Sequence, residues 1–562
     1  MEKDTIAAPL GAGHDADRVD KARRRTLGNV RLRHPDTNEI ILIPTPSSDP
    51  NDPLNWPQWF KYWIAALICF AMLMCNFLAA GPSIAIVQMA MDFFPGAHPG
   101  KNPQLFNAAV AKVAYSFTTT ALLQGLGNFV WVPIANKYGR RPTYVLSYAM
   151  YFGTAVWLCF ERSYGGFLVG RILMGFAAGA AETVAPITIA DIFFLHERGS
   201  IMAFYSSFLA IGVALGLIIS GLITIHHHWR VIFQVASALI GLVLLLAIFA
   251  FPETAYIRNP PPNTNSPDHS SSDQPTLKPT PTTTTTTTDP ENPSPPPSTT
   301  KKTPYLSTLS LSPPTPHRTL TTEPLPLLLL RPLPLLLLPP ILYTTLTFAT
   351  TIGFLVALTS NAQVALSATY GFASWQVGLC FVAAVLGALA GIPAGGRLGD
   401  VVADWGTRRN GGVREPEMRL PVLGVVVVVA PVGLVVWGVG VQGGVHWMLP
   451  VVGIGLLNFA IVQGTNVALV YVIDAYRPVA GEITTTIMAF KSLFGFLLSF
   501  YTNPWVAEAG YIKAYGVMAA ISAAVLLGWV PLFFWGKKIR HATWRWRVIS
   551  YIHWNDDREV GE

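Results

Sequence analysis

Charged residues are scarce in this sequence. Asp, Glu, Lys and Arg make up 12% of its 562 residues, which is about half of their share in an average soluble domain. Apolar residues make up 51%. The net charge of +7 comes from cations in short segments between apolar runs, which is typical of loops beside a membrane. The composition therefore predicts a membrane protein and gives no reason to expect nucleic-acid binding.

Cysteine is almost absent. The four cysteines lie inside apolar runs, and none has the close CxxC partner that redox or zinc chemistry uses: Cys69, Cys75, Cys159 and Cys380. We therefore expect neither a disulfide nor a structural zinc. A cleavable signal peptide is not expected either, because residues 1–59 are polar and charged and lack a short apolar core. The first apolar span is predicted to act as an uncleaved anchor.

Motifs for nucleotide binding and hydrolysis are also missing. No G-x-x-x-x-G-K-[ST] string occurs, so the sequence does not predict transport driven by ATP. No H-E-x-x-H, G-x-S-x-G or clustered His box is present, and we do not expect an enzyme. The consecutive histidines His226–His228 point to different sides, which favours an exposed loop over a metal site. We predict no cofactor and no bound metal.

Long apolar runs are what the sequence has instead. A spanning helix needs about 20 mainly apolar residues. Twelve runs qualify, six on each side of a long polar interruption: Tyr62–Ile84, Ala108–Val132, Thr143–Phe160, Phe167–Phe193, Met202–Ile225, Val231–Phe251, Ile341–Thr359, Trp375–Gly395, Leu420–Val441, Trp447–Ile473, Ile483–Val506 and Tyr511–Trp535. We predict an all-α membrane protein with twelve transmembrane helices in two six-helix bundles.

The interruption between the halves is expected to be disordered. It contains the run Thr282–Thr288 and a proline-rich stretch, a composition that cannot bury a core. Its last part, Leu325–Pro340, is apolar but repeatedly broken by proline, and we predict that it lies at the membrane interface. The predicted units are a cytoplasmic tail, a first bundle, this linker, a second bundle and a second cytoplasmic tail: 1–60, 61–252, 253–340, 341–536 and 537–562.

Lysine and arginine lie mainly on one side of the predicted spans. With the N-terminus inside, the cytoplasmic segments include "NKYGRRP", "TRRNGGVREPEMR" and the tail "KKIRHATWRWR". The opposite loops carry little more than Lys101, Arg162, Arg230 and Lys513. This asymmetry predicts that both termini are cytoplasmic.

Equivalent loops of the two halves share a motif. The loop after the second span reads "WVPIANKYGRRP", and the loop after the eighth reads "GGRLGDVVADWGTRRNGG". Both resemble the loop signature of the major facilitator superfamily, which is roughly G-x-L-x-D-R-x-G-R-R. Asn136 stands where the first acid is usual, whereas Asp400 keeps the acid in the second half. The resemblance implies a cytoplasmic gate formed by Asn136, Lys137, Gly139, Arg140, Arg141, Gly396, Asp400, Arg408 and Arg409.

A single acid, Glu182, lies in the fourth span within "GFAAGAAETVAP". Because an ionisable group that faces lipid costs at least about 2.5 kcal/mol, its face of the helix is expected to line a water-filled cavity between the halves. Arg171, eleven residues before Glu182, lies on nearly the same face of this helix. We expect Glu182 to bind and release a proton. The alternative is that it only fixes a helix contact beside the small residues Gly175 and Gly179.

Lys491 is a second charge within a span, and it either lines the cavity or extends to the membrane surface. Amides on the tenth span are further candidates for ligand contact, although amides within a membrane often only join helices. The predicted proton and substrate site comprises Glu182, Arg171, Lys491, Asn458, Gln463 and Asn466.

Longer strings, such as "DPLNWPQWFKYW", "FPETAYIR" and "FKSLFGFLLSFYTNPWV", resemble the fungal twelve-span drug:proton antiporters, in particular the branch of the yeast histidinol and polyamine permease. The resemblance implies proton-coupled export of drugs, toxins or a fungal secondary metabolite by alternating access. Uptake of organic cations such as polyamines, and a membrane sensor without net transport, are the alternatives. We expect a monomer that interacts with a small-molecule substrate, protons and lipid, in the plasma membrane or alternatively the vacuolar membrane.

Overall fold

Six long helices make up the first half of the chain. We describe residues 30–31, 42–47, 49–96, 103–256, 321, 324–544 and 546 of a computed structural model. The six helices are α1 (Gln58–Phe93), α2 (Pro103–Leu126, continued by Asn128–Tyr138), α3 (Arg140–Phe160), α4 (Tyr164–Ile192), α5 (Leu195–His226) and α6 (Arg230–Ala250). They follow the predicted apolar runs, and α1 extends beyond its predicted end through a 3₁₀ turn at Gly81–Ala85.

Six more long helices make up the second half. These are α7 (Pro339–Tyr370), α8 (Ser374–Arg409), α9 (Pro416–Gly443), α10 (Met448–Ala475), α11 (Ala480–Ala509) and α12 (Tyr511–Thr543). The helical structure of α8 continues past its predicted end at Gly395 and stops at Arg409. This extension determines where the arginines of the second-half motif lie.

Eleven of the helices in the described part of the chain have both the length and the hydropathy of a membrane span. The remaining one, α2, is long enough, because its first segment alone has 24 residues. Its hydropathy is lowered by Lys112 and by a group of polar side chains that includes Ser116, Thr118, Thr119 and Thr120. Because α2 packs between α4 and α11, polar groups on these faces need not meet lipid.

The helices form two groups that meet along two lines of contact. In the first half α1 packs on α5, α2 on α4 and α3 on α6, and in the second half α7 packs on α11, α8 on α10 and α9 on α12. The halves meet where α2 faces α11 and where α5 faces α8. A Cβ atom added at Gly125 of α2 would lie 2.3 Å from that of Ser492 on α11, so this approach requires glycine.

Two segments outside the bundles lie against them. The tail contributes a short strand, β1 (Val30–Arg31), which pairs antiparallel with β2 (Val413–Arg414) in the loop between α8 and α9. The apolar segment before α7 forms two short helices, Leu325–Leu330 and Pro332–Leu335, which lie against α2 and α11. Most of the predicted disordered linker, 257–320, lies outside the described residues.

Gly139 joins α2 to α3 in a backbone conformation that other residues rarely adopt. Its φ angle is +107°, and an added Cβ atom would lie 2.3 Å from a carboxylate oxygen of Glu253. Both the backbone and the neighbouring acid therefore select glycine at this position.

We expect Gly139→Ala to destabilise the folded protein by about 1–3 kcal/mol, because the substitution strains the backbone and displaces Glu253. Gly153→Ala is the matched control, since Gly153 lies in α3 and its added Cβ would meet no atom within 4 Å. Thermal unfolding of both variants in detergent measures the difference. Equal melting temperatures for the two variants would contradict this explanation.

Candidate functional site

Glu182 and Lys491 form an ion pair between the two bundles. The Nζ atom of Lys491 on α11 lies 2.9 Å from Oε1 of Glu182 on α4. Both side chains are almost fully buried, with exposed fractions of 1% for Glu182 and 7% for Lys491. In this conformation Glu182 is therefore sealed at the bundle interface and is not open to water.

Polar groups of the first bundle hold Glu182 in place. Nε2 of Gln124 on α2 donates to the same carboxylate oxygen at 2.9 Å. The hydroxyl of Tyr205 on α5 donates to the backbone carbonyl of Glu182 at 2.9 Å. The second carboxylate oxygen, Oε2, is buried and has no hydrogen-bond partner among the described residues. It is thus an acceptor available for a proton or for a ligand group.

Arg171 lies at a different place from this pair. Its guanidinium donates to the carbonyl oxygens of Leu78 at 2.8 Å and Ala79 at 3.0 Å, near the end of the regular part of α1. It also stacks on the ring of Phe117, with 4.8 Å to the centroid. Arg171 and Glu182 share a helix, but the structure does not bring them into one site.

The three amides of α10 are also separate from Glu182. Asn458 donates to the carbonyl of Ile454 within its own helix at 2.8 Å. Gln463 donates to the carbonyl of Val422 at 3.1 Å, which joins α10 to α9. Only Asn466 reaches the other bundle, where it is 3.5 Å from the carbonyl oxygen of Gly199 on α5.

In the first-half motif, Asn136 faces an acid across the interface. Its Nδ2 donates to Oε1 of Glu482, at the start of α11, over 3.3 Å. Arg140 lies 3.0 Å from Asp191 at the end of α4 and also approaches the amide oxygen of Asn136 at 3.4 Å. The amide in place of the usual acid thus avoids a contact between two carboxylates. The side chain of Lys137 is partly exposed.

Arg141 and Glu253 fasten the same end of the first bundle. Arg141 donates to the carbonyl of Phe251, directly after α6, at 2.8 Å and to that of Ile248, in the last turn of α6, at 2.7 Å. Glu253 accepts the backbone N–H groups of Arg140 and Arg141. Burial raises the pKa of the Glu253 carboxyl, and its hydrogen bonds from backbone N–H groups oppose that rise.

In the second-half motif, Asp400 pairs with an arginine that is not in the predicted set. Its Oδ1 lies 2.7 Å from Nη2 of Arg419, and its Oδ2 accepts a hydrogen bond from Ser200 on α5 at 3.0 Å. Arg408 and Arg409 are exposed, and Arg409 stacks on Trp405 at 3.8 Å. Because α8 remains helical to Arg409, these arginines lie about 12 Å or more along the axis from Asp400.

Sequence reasoning missed several residues of this network. Arg414 approaches Asp400 and Asp404 at 3.9 and 3.5 Å, and Arg198 on α5 lies 3.7 Å from Asp474 on α10. A signal existed, because these residues occur in charged strings beside the recognised motifs, for example "VREPEMR" and "HERGS". The sequence cannot pair the charges, since their partners belong to other helices.

The two bundles contact each other near both ends of the molecule. We refer to the end with Asn136 and Asp400 as the Asp400 end and to the opposite end as the His226 end. At the His226 end a Cβ atom added at Gly378 of α8 would lie 2.9 Å from the carbonyl oxygen of Leu217 on α5. The rings of Tyr115 and Phe500 meet there at 5.1 Å between α2 and α11. The buried ion pair lies between these two sets of contacts.

Comparison with known proteins decides the family. The model of the Major Facilitator Superfamily matches residues 62–499. The chain belongs to the major facilitator superfamily. It is therefore a multi-pass membrane protein and a secondary transporter, and not an enzyme. The family confirms the predicted fold of two six-helix bundles.

Relatives of this transporter occur in fungi. Protein HOL1 of Saccharomyces cerevisiae is 24% identical, with 91% of this chain and 92% of HOL1 covered. The probable drug/proton antiporter YHK8 of the same yeast is 24% identical over 83% of each chain. Among solved structures, the proton:xylose symporter XylE matches 84% of this chain and 95% of its own with a TM-score of 0.55 at 13% identity, which is a likeness of fold alone.

We expect Asn136→Asp to weaken closure of the Asp400 end, because it places a second carboxylate against Glu482 and removes the hydrogen bond of the amide. A reporter cysteine at Val132, which packs near Gly481 across the interface, measures closure by its rate of maleimide labelling in detergent. The labelling rate should rise several-fold in Asn136→Asp.

The second substitution Glu482→Gln supplies the control, because it removes the like-charge contact and should return labelling toward the original rate. An unchanged rate in the single variant, or no recovery in the double variant, would refute the role assigned to this contact.

Proposed function

We propose that this transporter couples substrate movement to protons through Glu182 and Lys491. Support comes from the position of the pair, because one partner belongs to each bundle and the two are 2.9 Å apart. Alternating access requires the bundles to tilt relative to each other. A charge pair that spans the interface therefore changes strength during the same movement that exposes a substrate.

The proton is proposed to act by cancelling the charge of Glu182. While the acid is ionised, it attracts Lys491 and favours the closed conformation. A proton on Glu182 removes this attraction, and the buried Oε2 atom without a hydrogen-bond partner among the described residues is a suitable position for it. Gln124 can still donate to the other oxygen, so the carboxyl group keeps its place after protonation.

Export of small organic molecules is the proposed direction, with the Asp400 end in the cytoplasm. The positive charge of the loops at that end supports the orientation, and the likeness to YHK8, a probable drug/proton antiporter, supports exchange of a drug for protons. The plasma membrane is the proposed location, with the vacuolar membrane as the alternative. We propose a monomer as the working unit.

Uptake of organic cations is the second candidate, and a specific contact favours it. The carboxylate of Glu182 already accepts an ammonium group, that of Lys491. A substrate ammonium would replace Lys491 at the same oxygen by exchange of like groups. A substrate without positive charge would have no such contact.

We expect Glu182→Gln to reduce accumulation driven by a pH gradient by at least about tenfold. Substrate exchange at equal pH on both sides of the membrane should persist. The amide still accepts the hydrogen bond of Gln124 but cannot carry a proton in exchange. Proteoliposomes with an internal pH dye, supplied with spermidine or tetraphenylphosphonium, measure accumulation and proton movement together. Proton release from the lumen upon substrate entry indicates antiport, and joint entry indicates symport.

Two further variants make this test decisive. Glu508→Gln removes an exposed acid of α11 and should leave coupling unchanged. Because Glu182→Gln leaves Lys491 buried without a counter-ion, the double variant Glu182→Gln/Lys491→Met should restore folding if the single variant is unstable. Proton-driven accumulation at the original level in either site variant would reject the proposal. A complete lack of accumulation by the unaltered protein would favour a sensor.

A further inference from the structure

The N-terminal tail is attached to the second bundle by strand pairing. β1 pairs with β2 so that Val30 lies opposite Arg414 and Arg31 lies opposite Val413. β2 belongs to the loop between α8 and α9, at the Asp400 end. The tail thus adds a strand to a backbone edge of the second bundle, a mode of recognition that needs main-chain N–H and C=O groups and little side-chain specificity.

The same tail is attached to the first bundle a short distance later. The backbone N–H of Leu195, at the start of α5, donates to the carbonyl of Ile43 at 2.8 Å. The hydroxyl of Tyr256, after α6, donates to the carboxylate of Asp49 at 3.0 Å. Ile43 is buried, with an exposed fraction of 7%. These contacts fix Ile43 and Asp49 to the first bundle independently of β1.

The turn that leads into α1 is also held firmly. Asp52 is fully buried and accepts hydrogen bonds from the backbone N–H groups of Ser47 and Leu54, each at 3.0 Å. Lys61 in the first turns of α1 donates to the carbonyl of Leu54 at 2.9 Å. The attachment on the first bundle is therefore extensive, and the attachment through β1 is the weaker of the two.

β2 is directly connected to the charged contacts of the gate. Arg414 belongs to β2, and its guanidinium approaches Asp400 at 3.9 Å and Asp404 at 3.5 Å. Asp400 also accepts the hydrogen bond of Ser200 from the first bundle. Burial lowers the pKa of Arg414, and the nearby carboxylates oppose that change. Pairing with β1 thus fixes the backbone of a residue that neutralises the gate acids.

We propose that the tail strap, defined as residues 30–31, 42–47 and 49–56, holds the Asp400 end closed and that release of β1 favours its opening. The strap joins one bundle to the other at the end where they must separate. It also positions Arg414 beside Asp400. This inference rests on the two-bundle fold and not on the proposed proton coupling.

The strap is expected to adjust the conformational equilibrium rather than to block it. In the described part of the chain its ladder has two residues on each strand, and one net backbone hydrogen bond changes an equilibrium by roughly two- to twelvefold. Because the strand is tethered, it re-forms readily after release.

The first test removes the backbone donors of β1. Val30→Pro/Arg31→Pro deletes two N–H groups, whereas Val30→Ala/Arg31→Ala changes both side chains and keeps them. The reporter is again a cysteine at Val132, labelled by a maleimide in the detergent-solubilised full chain. We expect the proline variant to label about three- to tenfold faster and the alanine variant to label at the original rate. No change in the proline variant, or an equal change in both, would overturn the proposal.

The second test fixes the strap in place. Arg31→Cys/Val413→Cys introduces thiols at directly opposite positions, where Cβ atoms of paired strands are about 4.5–5.5 Å apart. We expect oxidation to form a disulfide, to slow maleimide labelling of a Val132→Cys thiol in the same protein, and to lower the transport rate several-fold. Reduction should restore both. Failure to form the disulfide, or undiminished transport after it forms, would overturn the proposal even if the proline variant misfolds.

The two proposals fail separately. If the strap has no role, the pH dependence of Glu182→Gln is unaffected, because β1 and β2 do not contact that pair. If proton coupling through Glu182 is wrong, strap release still changes labelling at the Asp400 end. Transport measured without a pH gradient distinguishes these outcomes.

Discussion

A buried charge in a membrane protein must find its partner within the protein, because hydrocarbon supplies none. In this transporter the requirement is met across the boundary between the bundles, where Lys491 pairs with Glu182. The contact that neutralises the two charges therefore also joins the two moving parts. Breaking a buried pair by removing one partner costs about 3–5 kcal/mol, so separation at this depth needs water, a proton or a substrate to replace the lost contact.

Charged contacts within each bundle have a different consequence. In the first half, Glu253 after α6 accepts N–H groups at the start of α3. In the second half, Glu417 at the start of α9 pairs with Arg540 of α12 at 3.0 Å. In both halves the third and sixth helices are joined at this end. The acid follows the sixth helix in the first half and lies at the start of the third helix in the second half. Each bundle is thus fastened internally near the Asp400 end, which favours movement of the bundle as one body.

The sequence predicts the body of the fold well because length and hydropathy decide it. Apolar runs identify all twelve long helices, and proline marks the short helices before α7. Boundaries are less accurate where polar residues continue a helix, as in the part of α8 that ends at Arg409. There the pairing of Asp400 could not be predicted, because Arg419 comes from a separate segment after the loop.

For the candidate site too, the sequence identifies residues but not the contacts between them. An acid within a span is expensive, and this alone identifies Glu182 as a residue that needs an explanation. Lys491 is identified for the same reason, but its contact with Glu182 depends on how α4 faces α11, which no local pattern contains. Helical periodicity placed Arg171 on the face of Glu182, and yet its long side chain turns toward carbonyl groups of α1. Shared angular position on one helix does not imply a shared neighbourhood.

The contact of Arg171 also bears on how α1 behaves. Where α1 passes into its 3₁₀ turn, the carbonyls of Leu78 and Ala79 point at a guanidinium that is fully buried. Oxygen atoms at such an irregularity would otherwise attract water and make the helix a pliable joint. Here the guanidinium of Arg171 takes the place of that water. We therefore expect α1 to stay fixed to α4 at this turn and not to act as a hinge there.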